Sequence, residues 1–122
     1  MKKTSKYHAK KVTVGDETFD SLKECERWHE LQRTQMKGEI KGLCRQVRYN
    51  LIPTQREPDI VGPKGKHRPG RVIERGVDYV ADFVYYKGGK IIVEDVKGYK
   101  TPEYIIKRKL MLYKFGIRIL ET

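Results

Sequence analysis

The stretch VEDVKG, residues 93–98, places three charged side chains at the end of an apolar run. Glu94, Asp95 and Lys97 follow GKIIV, which is typical of a buried strand, where charges are rare unless a partner neutralises them. A further aspartate, Asp82, lies in another strand-like run, VDYVADFVYY. Carboxylates with a nearby lysine are residue types that bind Mg²⁺ and promote phosphodiester hydrolysis. The first question is therefore whether folding brings these residues together.

The glycine pair at 88–89 predicts how the two strands pair. A two-residue turn there gives an antiparallel hairpin in which Asp82 lies opposite Asp95, and alternation of side chains then points Glu94 to the other face. The face shared by the two aspartates holds Asp82, Asp95, Lys97, Val80, Val84 and Val93. Two opposed aspartates repel each other, so we expect a divalent cation to bind there. A slipped register, or neutralisation by Lys97 and arginines, is the alternative.

Two helices contribute further candidates. Ser21 is a good N-cap for a helix over 22–36, whose apolar arc consists of Leu22, Cys25, Trp28, Leu31 and Met36. Glu24 falls inside this arc and is the inward-facing acid, although it also has the capping-box spacing from Ser21. Thr101-Pro102 predicts the start of a second helix that runs to about Lys114. Its apolar stripe consists of Ile105, Ile106, Leu110, Leu112 and Tyr113. Lys109 lies within this stripe, and either faces inward or extends to solvent.

The remaining pattern predicts one domain over residues 1–122 with a mixed sheet flanked by helices. A hairpin precedes the first helix, and the expected segments are 12–19 for the hairpin and 46–52, 76–86, 90–97 and 117–120 for the strands. The third strand, the second helix and the last strand form a right-handed βαβ crossover. Residues 54–76 are rich in Pro, Gly and positive charge, which predicts a long, partly mobile loop or an extended ribbon.

The net charge is the strongest global signal. Lys and Arg number 27 against 16 Asp and Glu, a formal charge of +11, which favours a polyanionic partner such as nucleic acid over solubility alone. A basic arm at 1–11 and the 54–76 segment supply the expected phosphate contacts. These candidate nucleic-acid-binding residues are Lys6, Lys10, Lys11, Lys64, Lys66, Arg68, Arg71 and Arg75.

Several other classes of protein are disfavoured. The chain has no apolar run of about 18 residues, so we expect no membrane span, and no apolar segment follows the basic N-terminus as in a secretory signal. Cys25 and Cys44 lack metal-ligand spacing and are predicted to be reduced core thiols of a cytoplasmic protein. His8, His29 and His67 form no histidine-pair pattern. We expect His29 to pack on the first helix and His67 to lie in a loop.

The candidate residues resemble the PD-(D/E)XK nuclease superfamily. The matching pieces are Asp82 in VADF, Asp95-Val96-Lys97 in EDVKG, and Glu24 in SLKE. This resemblance implies a restriction-endonuclease-like αβββαβ core in which Glu24, Asp82, Asp95 and the Val96 carbonyl bind Mg²⁺, with Mn²⁺ as a substitute. It also implies that Lys97 is catalytic. If Lys109 faces inward, it is the candidate residue to support Lys97 from the second helix. The sequence departs from the superfamily pattern at Ala81, where a proline is usual, and at Asp95, where Glu is commoner.

The whole chain also resembles a narrower family of small phage- and prophage-encoded proteins. The shared segments are KYHAKK, TFDSLKECERW, YVADFVYY, VEDVKGYKT and KRKLMLYKFGI. Members are described as endonucleases, some as Holliday-junction-resolvase-like. The resemblance implies a DNA endonuclease in the cytoplasm of a bacterial host that acts on branched or recombination intermediates, as a homodimer if it resolves junctions. A non-catalytic nucleic-acid-binding protein and an RNA-directed nuclease are the alternatives.

Overall fold

The computed structural model describes residues 10–122, which form a mixed α/β arrangement of ten strands and two helices. The elements are β1 (Val12–Val14), β2 (Glu17–Phe19), α1 (Leu22–Met36), β3 (Lys41–Ile52), β4 (Gln55–Arg56), β5 (Ile60–Val61), β6 (His67–Arg68), β7 (Val72–Glu74), β8 (Val77–Lys87), β9 (Lys90–Asp95), α2 (Pro102–Phe115) and β10 (Leu120–Glu121). Residues 1–9 of the expected basic arm, with Lys6, lie outside the described range.

The central sheet has four strands in the order β10-β9-β8-β3. Strand β8 is antiparallel to both β3 and β9, whereas β10 is parallel to β9. The β9–α2–β10 unit therefore connects two parallel strands through a helix, and the prediction of a mixed sheet with two helices is confirmed. Strand β3 begins at Lys41, five residues before the expected start at 46.

The register of the β8–β9 hairpin agrees with the prediction over its paired length. Gly88 and Gly89 have φ values of 57° and 76°, which suit a two-residue hairpin turn. The pairs run from Lys87↔Lys90 to Phe83↔Glu94. Strand β9 ends at Asp95, two residues earlier than expected, although backbone hydrogen bonds to the end of β10 continue beyond it. There the backbone N–H of Lys97 donates to the carbonyl of Thr122 at 3.1 Å.

The simple alternation of faces along β8 does not continue through Asp82. Ala81 packs in a cluster with Tyr104 and Met111 of α2, whereas Phe83 packs in a second cluster with Leu31 of α1. Under strict alternation, two residues that are two positions apart would share a face. The expected inward position of Val80 is wrong, because this side chain is 36% exposed. Val84 and Val93 do lie in the α2 cluster.

Helix α1 has the expected bounds and the expected cap. The Ser21 hydroxyl accepts a hydrogen bond from the Glu24 N–H at 3.1 Å, and the buried residues of the helix are Glu24, Cys25 and Leu31. The predicted arc was too long, because Leu22 and Met36 are exposed in the terminal turns.

Helix α2 also has the expected ends, but its buried face differs from the prediction. Thr101 caps the helix through a 3.1 Å hydrogen bond from the Tyr104 N–H. Tyr104 and Met111 are the buried residues, seven positions apart on one face. Lys109 is exposed, so the inward-facing alternative for it is wrong. Three members of the expected apolar stripe are also exposed, namely Ile106, Leu112 and Tyr113.

The segment between β3 and β8 forms a two-stranded ribbon, the second of the two forms expected for it. We call residues 53–76 the ribbon. Within it, β4 pairs with β7 and β5 pairs with β6, so the ribbon continues the β3–β8 hairpin. His67 lies in β6 rather than in a loop.

The cysteines and the helices bear on the remaining expectations. Both cysteines are free, but Cys44 is exposed, so its expected core position is wrong; Cys25 is buried. His29 packs on α1, where its Nδ1 lies 2.9 Å from the Cys25 carbonyl oxygen. Neither helix in residues 10–122 is long and apolar enough to cross a membrane.

Candidate functional site

Asp82 and Asp95 lie beside each other where β8 and β9 stop pairing. Asp95 is the last residue of β9 and is only 2% exposed. Asp82 is half-buried, and its Oδ2 accepts a hydrogen bond from the Val96 N–H at 2.8 Å. This backbone contact fixes the Asp82 carboxylate against the segment that carries the other two motif residues.

Asp95 and Lys97 form a second fixed pair in the same place. Asp95 Oδ2 accepts a hydrogen bond from the Tyr79 hydroxyl at 2.9 Å and lies 3.2 Å from the Lys97 ammonium. The ammonium also lies 4.2 Å from the centre of the Tyr104 ring, which favours a cation there. Lys97 is therefore held beside the carboxylates by an ion pair and by an aromatic face.

The pKa of Asp82 reflects its burial beside Asp95. Burial, followed by the hydrogen bond and the negative charge of Asp95, raises the pKa of Asp82 to about 8, against the lowering effects of the Val96 N–H and Lys97. Burial beside a second carboxylate therefore disfavours the ionised form of Asp82. A cation near both groups would reverse this shift, because it favours the ionised forms.

Glu24 faces the same region from α1. It is 3% exposed, and burial, with a further contribution from Asp82, raises its pKa. The Gln46 amide Nε2 lies 3.2 Å from Glu24 Oε1 and 3.5 Å from Asp82 Oδ1. Arg45 adds a 3.6 Å ion pair to Glu24. The expected inward position of Glu24 is confirmed, while the capping contact of Ser21 uses the Glu24 backbone.

Gln46 also has an unusual backbone conformation. Its φ is 52°, and among residues 10–122 it is the one non-glycine residue with a positive φ. It lies directly opposite Asp82, between the pairs Arg45↔Phe83 and Val47↔Ala81. Non-glycine residues in this region are uncommon and are concentrated at functional sites.

The acidic residues do not form a ready-made metal cage. In the described part of the chain, no group of three or more His, Cys, Asp or Glu side chains is placed to hold a metal ion. Asp82 and Asp95 are adjacent, and the Gln46 amide separates Glu24 from Asp82. Two positive or partly positive groups, the Lys97 ammonium and the Gln46 amide, lie against these carboxylates.

A pocket of about 300 Å³ opens beside Asp95. Its lining includes Tyr79, Lys97, Thr101, Glu103, Tyr104 and Lys107. The Lys107 ammonium forms a 3.0 Å ion pair with Glu103 on the next turn of α2. The Asp95–Lys97 pair is therefore open to a ligand from the α2 side.

Glu94 lies on the other face of the sheet, as expected, and belongs to a different network. It is fully buried and accepts hydrogen bonds from Arg27 Nε at 2.6 Å and from the Tyr85 hydroxyl at 2.7 Å. Arg27 lies outside the predicted apolar arc of α1, yet its side chain reaches across to the sheet. This network attaches α1 to β9.

The remaining candidates lie away from the carboxylates. Lys109 is exposed on α2 and has no described contact with Lys97. The cationic candidates within the described range are all exposed, namely Lys10, Lys11, Lys64, Lys66, Arg68, Arg71 and Arg75. Exposed side chains at these positions are free to approach phosphates, but they do not build the carboxylate site.

Gln46, Tyr79 and Tyr104 contribute to the site although the sequence reasoning did not identify them. The strand that carries Gln46 was expected to begin at that residue, so the sequence pattern did not indicate that Gln46 lies opposite Asp82. Tyr79 lies three positions before Asp82, and strict alternation would place the two side chains on opposite faces. Tyr104 could have been found from its place in the first turn after the Thr101 cap.

The fold and site define a mixed α/β domain with a carboxylate–lysine cluster where the two inner strands of its sheet stop pairing. The chain belongs to the family described as "Protein of unknown function (DUF1064)", whose model matches residues 4–120. No curated protein and no solved structure matches the chain significantly.

Proposed function

We propose that this protein is a metal-dependent DNA endonuclease of the PD-(D/E)XK type. The element order supports this proposal, because α1, β3, β8, β9, α2 and β10 follow the αβββαβ order of a restriction-endonuclease-like core. The β1–β2 hairpin and the ribbon are additions to that order. The motif residues Asp82, Asp95 and Lys97 lie together where the two inner strands β8 and β9 stop pairing, and Glu24 approaches them from α1.

The observation that most strongly supports the proposal is the contact between the Asp82 and Asp95 side chains. Two buried carboxylates are expected to lie apart unless something neutralises them. Buried carboxylates that face each other disfavour ionisation, which is why the pKa of Asp82 lies near 8. A purely structural part of the sheet gains no stability from holding two buried carboxylates together. A site for a hard divalent cation does benefit from this arrangement, because a cation bound by both carboxylates would favour their ionised forms.

The donor set fits Mg²⁺, with Mn²⁺ as a substitute. Asp82, Asp95 and the Val96 carbonyl are the residues that would supply oxygen ligands of the kind this ion prefers, and Glu24 would become available if the Gln46 amide turned away. When bound, the ion would supply Lewis-acid activation of the phosphate and of a water molecule.

The residues of this chain have separate tasks in the proposed reaction. Lys97 stabilises the negative charge that develops on the phosphate as a water oxygen attacks phosphorus and the bond to one sugar oxygen breaks. The leaving oxygen takes up a proton, so the products are a phosphomonoester and a hydroxyl. Tyr79 and the Val96 N–H orient Asp95 and Asp82 throughout.

A cleavage panel tests this proposal. Labelled linear, nicked, flapped and four-way DNAs are incubated with the protein in Mg²⁺, Mn²⁺ or EDTA, and the products are separated on denaturing gels. We expect cleavage in either metal, none in EDTA, and none by Asp95→Asn. Asp78→Asn is the matched control, because Asp78 lies on the same strand but pairs with Arg48 at 2.9 Å. Full activity of Asp95→Asn in Mg²⁺ would contradict the assignment.

A non-catalytic nucleic-acid-binding protein is the second candidate. The absence of a three-acid group within residues 10–122 favours it, as does the net charge of +11. An RNA strand of the same sequence in the panel distinguishes an RNA-directed nuclease from a DNA endonuclease. Binding without cleavage of any substrate in either metal would establish the non-catalytic alternative.

The resemblance to small phage- and prophage-encoded proteins suggests a biological context for the proposed activity. We infer a cytoplasmic protein of a bacterial host, encoded by a phage or prophage, that acts on branched DNA as a homodimer. Two active sites are needed to resolve a four-way junction symmetrically. Paired cuts on one junction, with a dimeric mass in solution, would support this setting, and single cuts by a monomer would contradict it.

A further inference from the structure

The ribbon is exposed on both of its faces. Between residues 53 and 75, the two positions that are not exposed are glycines, Gly62 and Gly70. No other element of residues 10–122 covers the ribbon, and an isolated two-stranded hairpin is only marginally stable in water. A surface of this kind gains stability when a partner covers it.

The ribbon nevertheless has a defined internal structure. Arg56 donates to the Gly70 carbonyl at 2.9 Å, and the Glu57 N–H donates to the Arg71 carbonyl at 2.8 Å. At Gly70 the strands approach so closely that a Cβ would lie 2.1 Å from the Glu57 carbonyl oxygen. The ribbon is thus built for close backbone contact along its own length, not for packing against the sheet.

Charge is distributed unevenly along the ribbon. The outer part, residues 60–71, carries four cationic side chains and no carboxylate. These cations are Lys64, Lys66, Arg68 and Arg71. The acidic residues of the ribbon lie nearer its base, at Glu57, Asp59 and Glu74. The tip therefore presents a positive surface that fits a polyanion.

Apolar side chains lie among these cations at the tip. Ile60 and Val61 are 52% and 60% exposed. Because directly paired residues share a face, Ile60 lies beside Arg68 on one face and Val61 beside His67 on the other. The turn that follows contains exposed Pro63 and is closed by hydrogen bonds between Gly62 and Lys66 and between Gly65 and Gly62.

We propose that the ribbon tip inserts into the minor groove of duplex DNA and bends it, with Ile60, Val61 and Pro63 as the apolar wedge. Lys64, Lys66 and Arg68 then contact the phosphates on either side. Apolar residues that enter between base steps unstack them and kink the duplex, while neighbouring cations hold the backbone. This inference rests on the proposal that DNA is the ligand.

The substrate class follows from the energetics of bending. A duplex that already contains a flexible point, such as a nick or a branch, needs less deformation than an intact duplex. The ribbon should therefore favour kinked or branched DNA. A second copy of the chain is a poorer occupant, because two tips of the same positive charge repel each other.

The test is a binding measurement in EDTA, which is independent of any cleavage. Fluorescence anisotropy compares an intact duplex of roughly 30 base pairs with the same duplex nicked at its centre, and we expect wild-type protein to bind the nicked form ~10-fold more tightly. Ile60→Ala/Val61→Ala should reduce this preference to within about twofold. Energy transfer between dyes at the duplex ends should rise with wild-type protein and not with this variant.

Three further variants serve as controls. Val72→Ala/Ile73→Ala makes a matched change nearer the ribbon base and should keep the preference. Val61→Leu retains an apolar tip and should also keep it. Lys64→Ala/Lys66→Ala should weaken binding to both duplexes equally and reduce the log–log slope of affinity against salt by about 1.8.

Two outcomes would overturn the inference. An unchanged preference for nicked DNA in Ile60→Ala/Val61→Ala would remove the wedge. A wild-type dimer that this variant converts to a monomer in sedimentation would assign the tip to a second copy of the chain. Binding and bending without cleavage would leave the inference standing while the endonuclease proposal failed.

Discussion

The carboxylate site and the ribbon place the same kinds of residue in opposite environments. At the site, charged groups are buried and paired, and each polar contact fixes another. Along the ribbon, charged and apolar groups are exposed, and backbone pairing alone maintains the shape. Burial makes the site sensitive to the loss of single atoms, whereas the ribbon depends on total charge and on a few apolar side chains. The difference indicates that chemistry and binding can be separated by mutation.

The largest expected effect comes from Asp82 and Asp95. Asp95→Asn or Asp82→Asn should abolish cleavage, because each change removes a proposed metal-binding oxygen, while DNA affinity stays the same or increases since negative charge is lost. Cleavage gels in Mg²⁺ and anisotropy in EDTA measure the two effects separately. Equal losses of cleavage and affinity would mean that the two regions are not separable.

The next effect concerns Lys97. Lys97→Ala should lower the turnover rate roughly 10²-fold with little change in DNA affinity, because the ammonium acts on charge that develops during the reaction. Lys109→Ala is the matched control on exposed helix surface and should change the rate little. If Lys97→Ala weakened affinity alone, the lysine would be a phosphate anchor and would belong with the ribbon in this comparison.

The ribbon should respond to salt where the site does not. Neutralising Lys64, Lys66, Arg68, Arg71 and Arg75 should flatten the dependence of affinity on salt, by about 0.9 in the log–log slope for each lost phosphate contact. Turnover at saturating DNA should stay close to the wild-type value. A constant slope together with loss of sequence preference would show that the ribbon reads bases.

The pH dependence of stability provides a test of the carboxylate site that needs no DNA. The Asp82 carboxyl has a folded pKa of about 8, against 3.8 for an ordinary aspartate. The folded state therefore binds more protons than the unfolded state, and its stability should fall as the pH rises from about 4 to about 8. Asp82→Asn should lessen this fall, as measured by thermal unfolding at pH 5 and pH 9.

Asp78→Asn provides the contrast for this measurement. Hydrogen bonds from Asn50 and Arg48 lower the pKa of Asp78, so its ionised form is the favoured one and the fall attributed to Asp82 should remain. Mg²⁺ should raise the unfolding temperature of the wild-type protein more at pH 9 than at pH 5, because the ion binds ionised carboxylates. No pH-dependent difference between wild type and Asp82→Asn would contradict the coupling of the two aspartates.

The parts of the site that the sequence predicted depend on short-range geometry. The glycine turn at 88–89 determines the hairpin register, and helical periodicity places Glu24 inward. Both are local rules that need no knowledge of the rest of the fold. The helix starts at Ser21 and Thr101 could equally be predicted from the sequence, because N-caps act on backbone groups three residues away.

The parts that the sequence did not predict depend on contacts between distant segments. Helix α2 has apolar residues on more than one face, so only the docked structure selects Tyr104 and Met111 over Ile106. The position of Gln46 follows from the pairing of β3 with β8, and its positive φ has no signal in the alternation of the strand. Arg27 of α1 contacts Glu94, which is 67 residues away in the sequence, so no local pattern indicates this pair.

The Arg27–Glu94 ion pair also has a consequence for the order of folding. Arg27 follows Glu24 by three residues, and Glu94 directly precedes Asp95, so the contact that attaches α1 to β9 also completes the site. The β8–β9 hairpin is local and forms quickly, whereas a contact across 67 residues requires closure of a long loop. A nascent chain with only the hairpin would hold both aspartates without Glu24. On the proposed function, the nuclease would be inactive until its fold is complete.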